Sequence, residues 1–219
     1  MGSITRSLSN NITTGGVILP AGITNDSVSA VTSFANASGG TLILLSTQTA
    51  SNSATISFTT GLDSTYDAYE FHFINIHPAS SATSFTFNLS TDSGSNYNVT
   101  KTTTFFEAYH QENDTDAGLQ YQGAADLAQS TSFQSICNAM DINNDDNGCG
   151  TLTLFNPAST TYVKHFISAF NKIGGSGYAT NQYMAGYGNT TSAVNAVQFQ
   201  MSSGNIDDGI IKMYGVKKS

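Results

Sequence analysis

Tyr69-Glu70-Phe71-His72-Phe73-Ile74-Asn75-Ile76 sets the class of this chain. Tyr69, Phe71 and Phe73 recur every second residue, as side chains do along one face of a β-strand. A helix would space its apolar positions three and four apart. The period then slips. Ile74 and Ile76 fall in the opposite phase, which predicts either a β-bulge or a strand buried on both sides. The same alternation recurs on either side of this run. Phe85, Phe87 and Leu89 alternate, as do Ile56 with Phe58, Leu152 with Leu154, and Val197 with Phe199 and Met201. Thr41–Gln48 and residues 99–109 read as further strands. In Tyr162–Phe170, Tyr162, Phe166 and Phe170 share one face, and Val163 and Ile167 the other. Near the end, Ile211 and Met213 oppose Ile210, Tyr214 and Val216.

Turn signals separate these runs: Asp92-Ser93-Gly94, Asn147-Gly148, Asn156-Pro157 and Ser203-Gly204-Asn205. Gly123–Gln129 suits one short turn of helix and no more. With about nine to eleven strands at spacings of roughly 10–15 residues, the expectation is an all-β chain. Antiparallel strands with one wet and one dry face pack as a β-sandwich, jelly-roll-like in its connections. Ser and Thr at 28 each, Asn at 20 and Gly at 20 fit a sheet surface facing water. At 219 residues the chain is long enough to close a core without staples.

Residues 1–40 read differently. Isolated apolar residues stand among Ser, Asn, Thr and Gly without a sustained period, and Val17-Ile18-Leu19 is the one short extended apolar piece. The expectation is an extended N-terminal docking arm over 1–40, with Val17, Ile18 and Leu19 filling a neighbour's groove, followed by a β-sandwich domain over 41–219.

Charge excludes several function classes. Fifteen acidic residues against seven basic ones leave a net charge of −8, with Arg6 the only arginine. A nucleic-acid partner requires a face of phosphate-neutralising cations, and Lys217-Lys218 is too little. No apolar run approaches the ~18 residues of a membrane span, so no membrane partner is expected. No continuous apolar leader is visible over Met1–Pro20.

Several strands and turns together carry a resemblance. They are the run from Gly40 to Phe58, Gly61-Leu62-Asp63-Ser64-Thr65-Tyr66, Phe71–Pro78, Ser90–Tyr97, Leu154–His165 and Phe199–Ile206. Over residues 40–216 the chain resembles a family of virion structural proteins of tailed bacteriophages, especially marine ones. The resemblance implies a β-sandwich at the virion surface, as a head decoration or a tail-fibre component. It implies other virion proteins, capsid or tail, as partners. It also implies a homo-oligomer, a trimer by analogy with fibre-like virion proteins, and it transfers no active-site residues.

The chemistry-bearing residues are few. No G-x-S-x-G elbow, phosphate loop or H-E-x-x-H is present, so an enzyme is not expected. A polysaccharide depolymerase would need a carboxylate pair, for which Glu107 and Glu112 are the candidates. Tyr178, Tyr183 and Tyr187 lie in a Gly- and Tyr-rich segment, Ile173–Thr191, that reads first as a glycine-broken strand pair with its tyrosines in the core or at a subunit contact. They could instead stack on sugar rings, which makes a host-glycan adhesin the alternative reading. Asn143, Asp145 and Asn147 place oxygen ligands at alternate positions before Gly148, the pattern of a calcium loop. The twelfth position would be Leu154 rather than Glu, and no other cofactor is expected. Cys137 and Cys149 flank that segment at a spacing that suits a bridged hairpin. The histidines, His72, His77, His110 and His165, are too dispersed to chelate a metal.

Overall fold

A computed structural model describes residues 41–174 and 177–217. The arm candidates Val17, Ile18 and Leu19 lie outside the described residues, as does Lys218. Among the described residues twelve strands run in chain order: β1 (Leu42–Ser53), β2 (Ile56–Phe58), β3 (Ala68–Pro78), β4 (Thr83–Ser90), β5 (Lys101–Gln111), β6 (Ala117–Tyr121), β7 (Gln134–Met140), β8 (Gly148–Phe155), β9 (Lys164–Gly174), β10 (Tyr178–Gly188), β11 (Ala196–Met201) and β12 (Ile206–Val216). No helix occurs among the described residues, Gly123–Gln129 included.

The strands form two antiparallel sheets. The small one has the order β2-β11-β4-β7, the large one β1-β12-β3-β8-β9-β10-β5-β6. Most connections cross from one sheet to the other, as β2 to β3, β3 to β4, β4 to β5, β6 to β7 and β7 to β8 do. This is the winding of a jelly roll. Its two four-stranded sheets are β2-β11-β4-β7 and β3-β8-β5-β6. The β9–β10 hairpin is inserted between β8 and β5, and β12 with β1 extends the far edge. The sandwich expected from the alternation is therefore present, with more strands than the runs suggested.

The core lies between the sheets. Phe58, Phe85, Phe87 and Phe199 of the small sheet and Phe71, Phe73, Phe166 and Phe170 of the large one are all at most 2% exposed. Most of these pairs meet edge to face, as Phe58–Phe71 at 5.4 Å and Phe73–Phe199 at 5.2 Å do, while Phe85 and Phe199 stack at 5.8 Å. Each such ring contributes roughly 2–3 kcal/mol by leaving water.

The slip in β3 is a bulge. Phe73 pairs with Gly150 and Ile76 with Gly148, so three steps on β3 face two on β8. Across β12, Ile74 and His77 likewise span Ile210 to Asp208. Asn75 absorbs the extra residue in the left-handed region, at φ 52°. Ile76 thereby returns to the buried face beside Phe73, and only Ile74 stays half-exposed outside. In β9, Phe166 and Phe170 point inward and Ile167 outward, while Tyr162 precedes the strand and is exposed.

Candidate functional site

The inner face of the large sheet changes character along its strands. Near the middle it is apolar, with Phe166, Phe170, Met184 and Phe105. Two residues further along, the cross-strand rows turn polar. Phe170, Gln182, Glu107 and Gln120 stand side by side on β9, β10, β5 and β6. The next row is Lys172, Thr180, Tyr109 and Gly118. Each strand keeps its period of two. The inward positions are simply Gln, Glu, Thr, Tyr and Lys there instead of Phe and Met. Beyond β7, the edge of the small sheet, these rows floor a cleft of about 620 Å³. Asn138, Ala139 and Asp141 wall it from the end of β7, and Asp116 and Tyr178 line it from the strand ends.

Glu107 anchors the floor. It is 8% exposed, and its two carboxylate oxygens accept three amide N–H groups. Gln120 and Gln122 donate to Oε1 at 2.7 and 2.6 Å, and Gln182 donates to Oε2 at 2.6 Å. A buried carboxylate needs such donors, because burial removes its water. Gln182 also donates to the Asn138 side chain and accepts the Asn138 backbone N–H at 2.9 Å, which ties β7 to β10. Lys172, also buried, donates to the Ala139 carbonyl. Ala139 sits at φ 49°.

Two tyrosines stand at the mouth. Tyr109 and Tyr178 meet edge to face at 5.9 Å. The Tyr178 hydroxyl donates to Asp116 at 3.0 Å, and that carboxylate, with some burial, holds the phenol above its ordinary pKa. Gly118 makes room for Tyr109: a Cβ there would stand 2.7 Å from the Tyr109 hydroxyl. Asp141 is held below the usual carboxylate range by the Ser81 hydroxyl and by the Ile142 N–H.

The structure separates the residues that sequence spacing had grouped. Of the three tyrosines on β10, Tyr178 faces the cleft, while Tyr183 and Tyr187 pair with Ala169 and His165 on the outer face. One face of the Tyr183 ring is covered by Phe106, stacked at 5.0 Å and 16°. The Gly- and Tyr-rich segment is thus a strand pair whose β10 tyrosines look in opposite directions, so the three do not form one sugar-stacking platform. Glu107 and Glu112 also part company. Glu107 lies in the cleft floor, whereas Glu112 is exposed beside Gly177 at the β9–β10 turn.

Cys137 and Cys149 are both free, the first buried and the second exposed. The two are not bridged: Cys137 is buried within the small sheet, whereas Cys149 takes the exposed phase of β8 in the large one. Burial pushes the Cys137 thiol up to about 12. The Asn143–Asn147 turn closes on its own hydrogen bonds. The Asp146 N–H donates to the Asn143 carbonyl at 2.8 Å, and the Asn143 amide donates to Asp146 at 2.7 Å. Asp146, not Asp145, is the buried member. Among the described residues no three His, Cys, Asp or Glu side chains gather as a metal site.

Spacing alone missed Tyr109, Asp116, Gln120, Gln122, Asn138, Lys172 and Thr180. One signal was available: Glu107 and Gln182 occupy inward phases of alternating strands, two residues from Phe105 and Met184. A polar residue at a core phase marks either a buried network or a site.

No protein-family model, curated protein or solved structure matched this chain.

Proposed function

We propose that this protein is a non-enzymatic β-sandwich of a tailed-phage particle, and that its cleft recognises a neutral saccharide of the host surface. The observation that supports the recognition is the lining of the cleft. Donors and acceptors alternate over its floor, while Tyr109 and Tyr178 offer apolar ring surface at its mouth. A sugar presents the matching pattern, with hydroxyls that both donate and accept around a ring with apolar C–H faces. Phosphate or another dense anion would meet Glu107, Asp116 and Asp141 against the single cation of Lys172. A wholly apolar ligand would strip the remaining water from the polar lining, Asp116 and Asp141 among it. Jelly rolls serve both viral capsids and lectins, so the architecture accommodates this reading without choosing it.

The virion setting rests on the resemblance over residues 40–216. In that setting residues 1–40 attach the chain to a capsid or tail protein through Val17, Ile18 and Leu19, and the sandwich is displayed at the virion surface. Density for the chain in a cryo-EM map of intact particles is the expected result. Its absence from every particle would remove the virion setting.

Recognition is tested by glycan-array screening followed by titration calorimetry. Binding of a neutral saccharide is expected, with a loss of at least about tenfold in affinity, some 1.4 kcal/mol, for Tyr178→Ala and Asp116→Asn. Tyr183→Ala and Tyr187→Ala, on the opposite face, should bind as the parent does. Binding that is indifferent to Tyr178→Ala, or no binding to any neutral saccharide, would overturn the assignment.

A further inference from the structure

The outer face of the large sheet is uncharged across its last four strands. The outward positions of β9 are His165, Ile167, Ala169, Asn171 and Ile173. Those of β10 are Ala179, Asn181, Tyr183, Ala185 and Tyr187. On β5 and β6 they run from Thr102 to His110 and from Ala117 to Tyr121 in steps of two. None is Asp, Glu, Lys or Arg, in a chain whose net charge is −8. Large apolar side chains stand out of this face: Leu119 is 72% exposed, Tyr121 58%, Ile167 55% and Phe106 41%.

The relief of the face is self-complementary. Tyr121, Phe106 and Tyr183 occupy one cross-strand row and form an aromatic ridge. Beside it lies an apolar depression of about 430 Å³, bordered by Thr102, Thr104, His165, Ile167, Ala185 and Tyr187. Ridge and depression adjoin along the same strands. A twofold axis between them would bring the ridge of each copy to the depression of the other. The Phe106–Tyr183 stack covers one face of each ring. At the margin the Tyr121 hydroxyl donates to Asp126, which lies outside the four strands.

We infer that this face is the docking surface for a second copy of the same chain, related by a twofold axis. The charge argument selects the occupant. Two acidic copies repel wherever their carboxylates approach, and here the carboxylates stand only at the rim, Asp126 on the Tyr121 hydroxyl and Asp114 on His110 at 3.0 Å. The size is adequate. Four strands about 4.8 Å apart and roughly 30 Å long give about 600 Å² per copy in flat projection, or about 1,200 Å² in all, at the lower end of stable interfaces. The contact is independent of the saccharide cleft, which opens on the opposite side of the sheet.

Sedimentation velocity on the full chain tests it. The expected result is a species of twice the 23.0 kDa chain mass. Tyr183→Lys and Ile167→Lys should each shift it to the single-chain mass, with far-ultraviolet circular dichroism and thermal midpoint close to the parent's. Ser203→Lys, in the exposed turn before β12, controls for added charge and should leave the pair intact. A parent that stays single-chain at ~100 µM overturns the inference, as does a trimer or dimer that both face variants leave unchanged. Retention of a single-chain parent on a polysaccharide, lost in Tyr183→Lys, would also overturn it and give the face to sugar.

Discussion

Lys101 has no exposed surface and no carboxylate beside it. Its ammonium donates to Asn88 Oδ1 at 2.5 Å and to the Val99 carbonyl at 2.8 Å. Burial depresses its pKa to about 7, whereas the unfolded chain keeps the ordinary 10.5. Between those values the unfolded state binds more protons, so stability rises with pH across that window and is lowest below it. The urea midpoint should increase between pH 7 and pH 10, by up to a few kcal/mol in free energy, and Lys101→Met should flatten that rise. A parent midpoint that falls over the same range would refute this account. Glu107 poses the opposite problem, with three donors and no cation. Glu107→Gln turns one of its acceptors into a donor facing another amide N–H. A loss of about 1–3 kcal/mol is expected from urea unfolding, with the slope of the transition unchanged.

Among the strands, β8 depends on what it leaves out. Phe170 lies across Gly148 and Gly150, and a Cβ at Gly150 would come within 2.5 Å of the Ala169 carbonyl and 2.7 Å of the Phe170 ring. Gly150→Ala should therefore lower stability by about 1–3 kcal/mol through overpacking, read as a fall in thermal midpoint. The β3 bulge makes a finer test. Asn75 holds φ 52°, which Gly adopts freely and a β-branched residue resists. Asn75→Gly should be near neutral and Asn75→Val should cost about 1–2 kcal/mol by the same measurement. Equal effects would mean that the left-handed conformation contributes nothing at that position.

For the molecule as a whole, the two thiols report on different layers. Cys149 is exposed on the large sheet and Cys137 is fully buried in the small one, its thiol pushed up to about 12. A maleimide should modify Cys149 at once under native conditions, while Cys137 reacts only as fast as the sandwich opens. Mass spectrometry should show one adduct in native buffer and two in denaturant. Two rapid native adducts would mean that the small sheet opens locally, and none would mean a disulfide.

The alternation of Tyr69-Glu70-Phe71-His72-Phe73 and its counterparts is enough to establish an all-β chain, because only a strand brings every second residue to one face. It also located the irregularity in β3. Three strands escaped it for a physical reason. In β6 four of five residues are exposed, so no apolar phase marks Ala117–Tyr121. In β7 the buried positions include Gln134 and Cys137 among polar neighbours. In β10 glycines and tyrosines blur the pattern. The cleft was half visible, in Glu107 and Tyr178, and half hidden. Gln120, Gln182, Lys172 and Asn138 come from four strands and converge only through pairing across long stretches of chain, which local spacing does not encode. Which sheet each strand joined decided the rest. Burial of Cys137 and the exposed phase of Cys149 separated the cysteines, and the pleat of β10 sent Tyr178 inward and Tyr183 outward, because successive side chains on a strand must take opposite faces.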